Sequence, residues 1–101
     1  MTWFVKRETF NSAAAALSVE QRRPILEAHR RWVKQESESG KRLCSGFLVD
    51  QHQLPGGGGL LIFEADSYEQ ALDWLQHDPM ICSELVTWSL HEWVMQESFF
   101  V

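Results

Sequence analysis

The sequence predicts a single α+β domain over residues 1–101, with elements in the order β-α-β-β-α-β. Three observations favour this fold class. The length suits one domain, two segments show helical periodicity behind capping signals, and four apolar segments have the composition or alternation of strands. No internal repeat or domain boundary divides the chain.

The chain opens with a short predicted strand at residues 3–5, which are apolar at consecutive positions and rich in strand formers. Residues 8–17 contain Asn11, Ser12 and a run of alanines, and their periodicity does not distinguish a loop from a helical turn. We leave that segment open.

The first long helix begins between Ser18 and Pro24. Ser18 followed by Gln21 has the form of a capping box, Pro24 suits a first helical turn, and Gly40 can supply a left-handed cap at the end. Its apolar residues fall on one stripe at 3.6-residue spacing and are Ile25, Leu26, Trp32 and Val33.

Two strands, Leu43–Val49 and residues 60–65, are predicted to pair as an antiparallel hairpin. Residues 50–59 end in Gly56–Gly59 and are predicted to be a loop, with a lid as one reading. The glycines lack the Gly-Lys-Ser/Thr ending of a phosphate-binding loop and do not open a helix.

Ser67 and Gln70 repeat the capping signature, so a second helix is predicted to follow and to stop before Pro79, because Asp78 is pushed out of helical geometry. Residues 86–94 alternate apolar and polar side chains and predict the last strand. This order is the split βαβ, ferredoxin-like arrangement, in which both helices cover one face of a four-stranded antiparallel sheet.

The second face of that sheet should also be apolar, because residues 3–5 and 60–63 are apolar at consecutive positions and therefore face both ways. Trp88 and Phe47 add aromatic area. A homodimer packed sheet against sheet is the expected cover, and residues 98–101 could cross to the partner. The alternative is that residues 8–17 fold over this face.

Composition excludes several classes of function. The formal net charge of −5 has the wrong sign for a nucleic-acid partner. The sequence has no export signal and no apolar run of membrane-spanning length. Cys44 and Cys82 are isolated in apolar segments, which is typical of a reduced cytoplasmic protein. The histidines and cysteines share no metal-ligand spacing, so no metal is expected.

His29 is the candidate catalytic residue, because it lies on the apolar stripe of the first helix between Leu26 and Trp32. A lone histidine there is more often a satisfied core residue. In a ferredoxin-like domain, however, antiparallel helices bring the first half of this helix beside Asp78. A carboxylate there would orient the imidazole for acid/base chemistry; the alternative is that Asp78 merely ends its helix.

The spacing from His29 to Gly40, then Ser45-Gly46, the segment 61–71 and Asp78-Pro79 resembles the YCII-related family over most of the chain. That family is similar in fold to the dimeric α+β barrels. The resemblance implies a homodimer with a small-molecule pocket in each protomer, holding a histidine and the aspartate of an Asp-Pro pair. His29 and Asp78 match these two.

Further ligand-binding candidates are Ser45, Gly46, Phe47 and Arg23. Phe47 follows Gly46 where the family usually has proline. Leu26 stands where members often carry an arginine one turn before the histidine, which leaves Arg22 or Arg23 as candidates for an anion contact.

Two functions are consistent with these residues. The first is a lyase or isomerase that uses His29 and Asp78, without a cofactor, to move a proton on a small ring-containing or enolisable substrate; the resemblance implies this, since a dehydrochlorinase of hydroxylated rings belongs to the family. The second is a non-catalytic module that binds a metabolite or another protein. A haem protein is a distant third, because His29 alone is thin evidence for an axial ligand.

Overall fold

The computed structural model describes residues 2–99. In chain order the elements are β1 (Thr2–Phe10), α1 (Ser12–Ala15), α2 (Val19–Glu38), β2 (Leu43–Val49), β3 (Pro55–Ala65), α3 (Tyr68–Leu75), α4 (Pro79–Cys82) and β4 (Val86–Trp93). The strands form one antiparallel sheet in the order β2-β3-β1-β4. The predicted α+β, ferredoxin-like fold is confirmed, and Phe100 and Val101 of the predicted crossing segment lie outside the described residues.

The core lies between one face of the sheet and the helices. On β1, Phe4 pairs with Phe63 of β3, and both side chains are fully buried. The buried core combines strand residues of this face with Ala71 and Leu75 of α3, and its members are Phe4, Leu61, Phe63, Ala65, Ala71, Leu75 and Leu90. We call this side the helix-bearing face and the opposite side the open face.

Helix α2 begins and ends where the sequence predicts. The Ser18 hydroxyl accepts the backbone N–H of Gln21, and the Gln21 side-chain oxygen accepts the backbone N–H of Ser18, so the capping box is complete. Gly40 adopts φ of 106°, the left-handed conformation expected after the helix. No residue of α2 is fully buried, although Trp32 packs against the core. The helix therefore covers the sheet loosely within one chain.

Residues 8–17, whose conformation the sequence left undecided, continue β1 to Phe10 and then form α1, which is capped by the Asn11 side chain. The Arg22 guanidinium lies over the Phe10 ring and donates to the Ala14 carbonyl, which ties this segment to α2. These contacts lie on the helix-bearing side, so they give no support to the alternative that the segment covers the open face.

The prediction that residues 50–59 form a loop is wrong from Pro55 onward, since β3 begins there. The connection is a short turn in which the Asp50 carboxylate accepts the backbone N–H groups of His52 and Leu54. Gly58 has φ of 89°, and a Cβ there would lie 2.2 Å from the Glu8 carbonyl oxygen. Glycine thus serves close strand packing here, which composition alone does not distinguish from loop flexibility.

The expected contribution of Trp88 and Phe47 to the open face is also wrong. Trp88 pairs with Glu8, and Phe47 pairs with Gly59, so both side chains lie on the helix-bearing face, where Trp88 packs against the core. The open face instead presents alternate residues of the strands, among them Trp3, Val5, Cys44, Ile62 and Trp93.

Candidate functional site: a buried His-Asp-Lys-Glu cluster

His29 lies at the middle of α2, and its side chain is 16% exposed. The capping box at Ser18 sets the start of the helix, and the stripe of half-buried apolar residues turns this side of α2 toward the sheet. The His29 ring is tilted against the Trp32 ring at 6.3 Å between centroids. The imidazole is therefore held between core and solvent.

Asp78 lies between α3 and α4 and is fully buried. Pro79 holds it in an extended conformation with φ of −69° and ψ of 119°, and its Oδ1 atom accepts the Met80 N–H at 2.9 Å. The carboxylate therefore caps the start of α4; it does not end the preceding helix as the alternative supposed, because α3 already ends at Leu75.

The same carboxylate also contacts the histidine, at 2.7 Å between His29 Nδ1 and Asp78 Oδ1. The two roles of Asp78 thus coexist. An ionised carboxylate has no hydrogen to donate, so Nδ1 must carry the proton in this contact. In the neutral ring Nε2 is then the basic nitrogen.

Two further charged residues, which the sequence reasoning missed, complete the cluster. Lys6 is fully buried on β1, and its ammonium donates to Asp78 Oδ2 at 2.6 Å and also pairs with Glu8 Oε1. The available signal was the alternation Phe4, Lys6, Glu8, which places both charged side chains on the face of Phe4.

This environment sets the ionisation of Asp78. Burial pushes its pKa upward, but the hydrogen bond from His29 and the charge of Lys6 outweigh burial, so the pKa of the carboxyl lies below its ordinary value. Asp78 is accordingly anionic at neutral pH. The arrangement can hold an imidazole in one tautomer beside a permanent negative charge.

The other predicted site residues lie on two elements. Ser45, Gly46 and Phe47 are exposed on the edge strand β2, with the Ser45 and Phe47 side chains on the helix-bearing face and Gly46 directed to the open face. Arg23 is exposed on α2. At 100° per residue it lies well round the helix from His29, whereas Arg22, seven residues before the histidine, lies on the same face. Within residues 2–99, no hydrogen bond or ion pair joins these candidates to His29 and Asp78, which we call the dyad, and their role stays a prediction.

Comparison with known proteins gives the family. A model of the YCII-related domain matches residues 4–90. The chain belongs to the YCII-related family. None of the curated proteins matches the sequence.

Two solved structures share the fold of this YCII-related chain, and a third is less similar. The 5-chloro-2-hydroxyhydroquinone dehydrochlorinase of Burkholderia phenoliruptrix AC1100, in complex with 2,5-dihydroxybenzoquinone, is 17% identical with a TM-score of 0.63, and 92% of this chain and 93% of that one are covered. An Arabidopsis thaliana protein is 15% identical with a TM-score of 0.54 and coverage of 97% and 98%. A dimeric ferredoxin-like protein from an uncultured marine organism is 15% identical with a TM-score of 0.40 and coverage of 95% and 96%.

Two cavities of the YCII-related chain lie away from the His29–Asp78 pair. A cavity of about 380 Å³ opens on the open face beside Trp3, Ile62 and Trp93, and a second of about 310 Å³ adjoins Lys41 and Arg42. Neither is lined by His29 or Asp78. The pocket predicted around the pair therefore stays a prediction.

Other features bear on the remaining expectations. Cys44 and Cys82 are exposed free thiols. Within residues 2–99, no three His, Cys, Asp or Glu side chains come together as a metal site. None of the helices in that range is both long and apolar enough to cross a membrane.

Proposed function

We propose that this protein is a cofactor-independent acid/base enzyme of the lyase or isomerase type, acting on a small ring-containing or enolisable substrate. The observation that carries the proposal is the hydrogen bond between His29 Nδ1 and the buried, anionic Asp78. His29 would take a proton from the substrate at Nε2 and return one to the product. Asp78 would hold the ring and stabilise its protonated form.

The substrate class is drawn from the chemistry of the pair and from one related fold. A histidine base without a metal suits carbon or hydroxyl acids whose anion is delocalised, such as phenols and enolisable carbonyl compounds. The structurally similar 5-chloro-2-hydroxyhydroquinone dehydrochlorinase, solved in complex with 2,5-dihydroxybenzoquinone, supports this class, because both names describe hydroxylated six-membered rings. Phe47 and Ser45, beside each other on one face of β2, would offer such a ring apolar contact and a hydroxyl.

The test is proton exchange and turnover on a panel of hydroxylated or chlorinated aromatic rings and small enolisable acids. Exchange in heavy water, followed by NMR, and chloride release would report activity without knowledge of the natural substrate. We expect His29→Ala and Asp78→Asn to lose at least about 100-fold in rate. His52→Ala, at an exposed histidine of the β2–β3 turn, is the matched control and should retain full rate. A wild-type rate that survives in both dyad variants would refute the assignment.

The alternative is a non-catalytic module that binds a small molecule or a protein. It is favoured by the absence of His29 and Asp78 from the linings of the two cavities and by the exposure of Phe47, which is 66%. Thermal shift with the same panel separates the two functions. A ligand that stabilises the wild type but not His29→Ala, without turnover, would establish binding alone.

We also propose that the chain forms a homodimer through the open face. Val5, Ile62 and the 40%-exposed Trp93 give this face apolar area at the centre and one edge of the sheet, and burying such area is the main drive for association. The two free thiols are consistent with a reducing cytoplasm. Neither nucleic acid nor a membrane is part of the proposal.

A further inference from the structure

The core contains a fully buried charged side chain, that of Lys6. Lys6 lies in the middle of β1, and the residues paired with it on both sides, Leu61 and Leu90, are buried and apolar. A buried ion pair is often no more stabilising than an apolar replacement of similar volume. These surroundings would accept a leucine or methionine, so stability alone does not account for Lys6.

We propose that Lys6 is a positioning residue for the dyad: it fixes the Asp78 carboxylate and keeps it anionic, so that Oδ1 is always directed at His29. This inference rests on the proposed acid/base function. Lys6 itself does not touch the substrate in this role, because its ammonium is fully buried between two carboxylates.

The division of the Asp78 oxygens supports this role. Lys6 occupies Oδ2 at 2.6 Å, while Oδ1 receives His29 at 2.7 Å and the Met80 N–H at 2.9 Å. Rotation of the carboxylate would break contacts at both oxygens together. Without the ammonium, burial would favour the protonated carboxyl. A protonated Asp78 would no longer stabilise a protonated imidazole.

Glu8 partly compensates the positive charge that Lys6 places beside Asp78. Glu8, Lys6 and Asp78 together carry one negative charge, so a proton on His29 makes the whole cluster neutral. Among residues 2–99, the charged or titratable groups that contact Asp78 directly are Lys6 from β1 and His29 from α2, and Glu8 acts through Lys6. The cluster would therefore have no net charge once the reaction places a proton on the imidazole.

The glycine run of β3 makes room for this arrangement. Gly59 pairs with Glu8, and a Cβ at Gly59 would lie 3.0 Å from Glu8 Cγ and 3.4 Å from Glu8 Oε1. A larger residue would require the Glu8 side chain to shift by a few tenths of an ångström. The glycines, which the sequence suggested were a loop, thus leave space for the outer member of the cluster.

The test is the titration of the Asp78 carboxyl carbon by NMR in the wild type, Lys6→Met, Glu8→Gln and the double variant. We expect the pKa of Asp78 to shift upward in Lys6→Met, because the ammonium is lost. In Glu8→Gln it should shift further downward, because the Lys6 charge is no longer shared. The double variant should titrate as Lys6→Met does, because Glu8 reaches Asp78 only through Lys6.

The activity readout is the pH profile of kcat on whichever compound the wild type turns over. Lys6→Met should lower kcat at neutral pH by roughly tenfold, part of the contribution of an oriented general base, and move the acid limb to higher pH. Lys6→Arg, which keeps the charge, should recover most of the rate. A merely structural Lys6 would lower the amount of folded protein but leave the pH profile and the Asp78 titration unchanged, and that result would overturn the proposal.

The outcomes separate the two proposals. An Asp78 titration that responds as expected in a protein that turns nothing over would refute the enzymatic function and keep the positioning role. Turnover together with an Asp78 titration that Lys6→Met leaves unchanged would refute the positioning role and keep the enzymatic function. If Lys6→Met does not fold, Glu8→Gln alone decides, because an unchanged Asp78 titration in that variant would overturn the role of Lys6.

Discussion

Replacing Asp78 by asparagine changes the shape of the side chain least and removes its charge, so it tests the cluster most directly. The carboxylate holds the Lys6 ammonium at 2.6 Å, His29 Nδ1 at 2.7 Å and the Met80 N–H at 2.9 Å. Asparagine has one acceptor oxygen and one donor group. If its oxygen remains with Met80, its amide group faces the Lys6 ammonium, donor against donor.

The size of the effect follows from the burial of Lys6. Removing one partner of a buried ion pair typically costs about 3–5 kcal/mol, because the remaining charge is left without compensation. Lys6 keeps Glu8 in the variant. We therefore expect the lower end, a loss of about 3 kcal/mol in the free energy of unfolding at pH 7, out of roughly 5–15 kcal/mol for a small domain.

The loss should depend on pH with a defined sign. The pKa of Asp78 is lowered in the folded state, so its ionised form contributes stability that is fully present above the unfolded value of about 3.9. That contribution disappears as the pH falls through the lower, folded-state pKa. The gap in the free energy of unfolding between wild type and Asp78→Asn should therefore narrow as the pH falls from about 5 toward 3.

Urea unfolding from pH 3 to pH 7, at one fixed protein concentration, measures both effects. Asp73→Asn makes the same chemical change at an exposed position of α3 and should stay within about 0.5 kcal/mol of the wild type. A loss below about 1 kcal/mol for Asp78→Asn, or a gap that does not narrow toward pH 3, would show that the cluster does not hold an anionic Asp78.

Three further predictions concern the sheet and its faces. Gly58→Ala should destabilise the protein by about 2–3 kcal/mol, because φ is 89° and the new Cβ would lie 2.2 Å from a backbone oxygen of β1; Gly46→Ala, with nothing within 4 Å, should be neutral or better in thermal unfolding, and equal effects would contradict this reading. Trp74→Phe removes the indole N–H that donates to Glu36 and should lower the free energy of unfolding in urea by about 1–2 kcal/mol. A loss smaller than that of a control substitution at an exposed site would argue against this hydrogen bond. Ile62→Lys on the open face should turn a dimer into a monomer in sedimentation measurements, whereas a lysine on the outer surface of α2 should not; a dimer that survives Ile62→Lys would place the interface elsewhere.

The candidate site shows which residues a sequence can bring together. His29 and Asp78 were predictable because each occupies a position defined by local signals, a helical stripe and an Asp-Pro break, and because the ferredoxin-like order fixes which helix ends are neighbours. Lys6 was not predictable as a partner of Asp78. Seventy-two residues separate them, and their contact depends on how closely α4 approaches β1.

The sequence by itself determined the order of the four strands and the two longer helices, the caps of α2 at Ser18 and Gly40, and the strand Leu43–Val49, because these depend on hydrogen bonds and side-chain periodicity within a few residues. Only the tertiary structure decided that the glycines after Pro55 pair as a strand and that a lysine belongs in the core. In a sequence, a run of glycines indicates a loop. Only the structure shows that a neighbouring backbone lies too close to leave room for a Cβ. A buried charge is costly until its counter-charges are in place, and those come from distant parts of the chain.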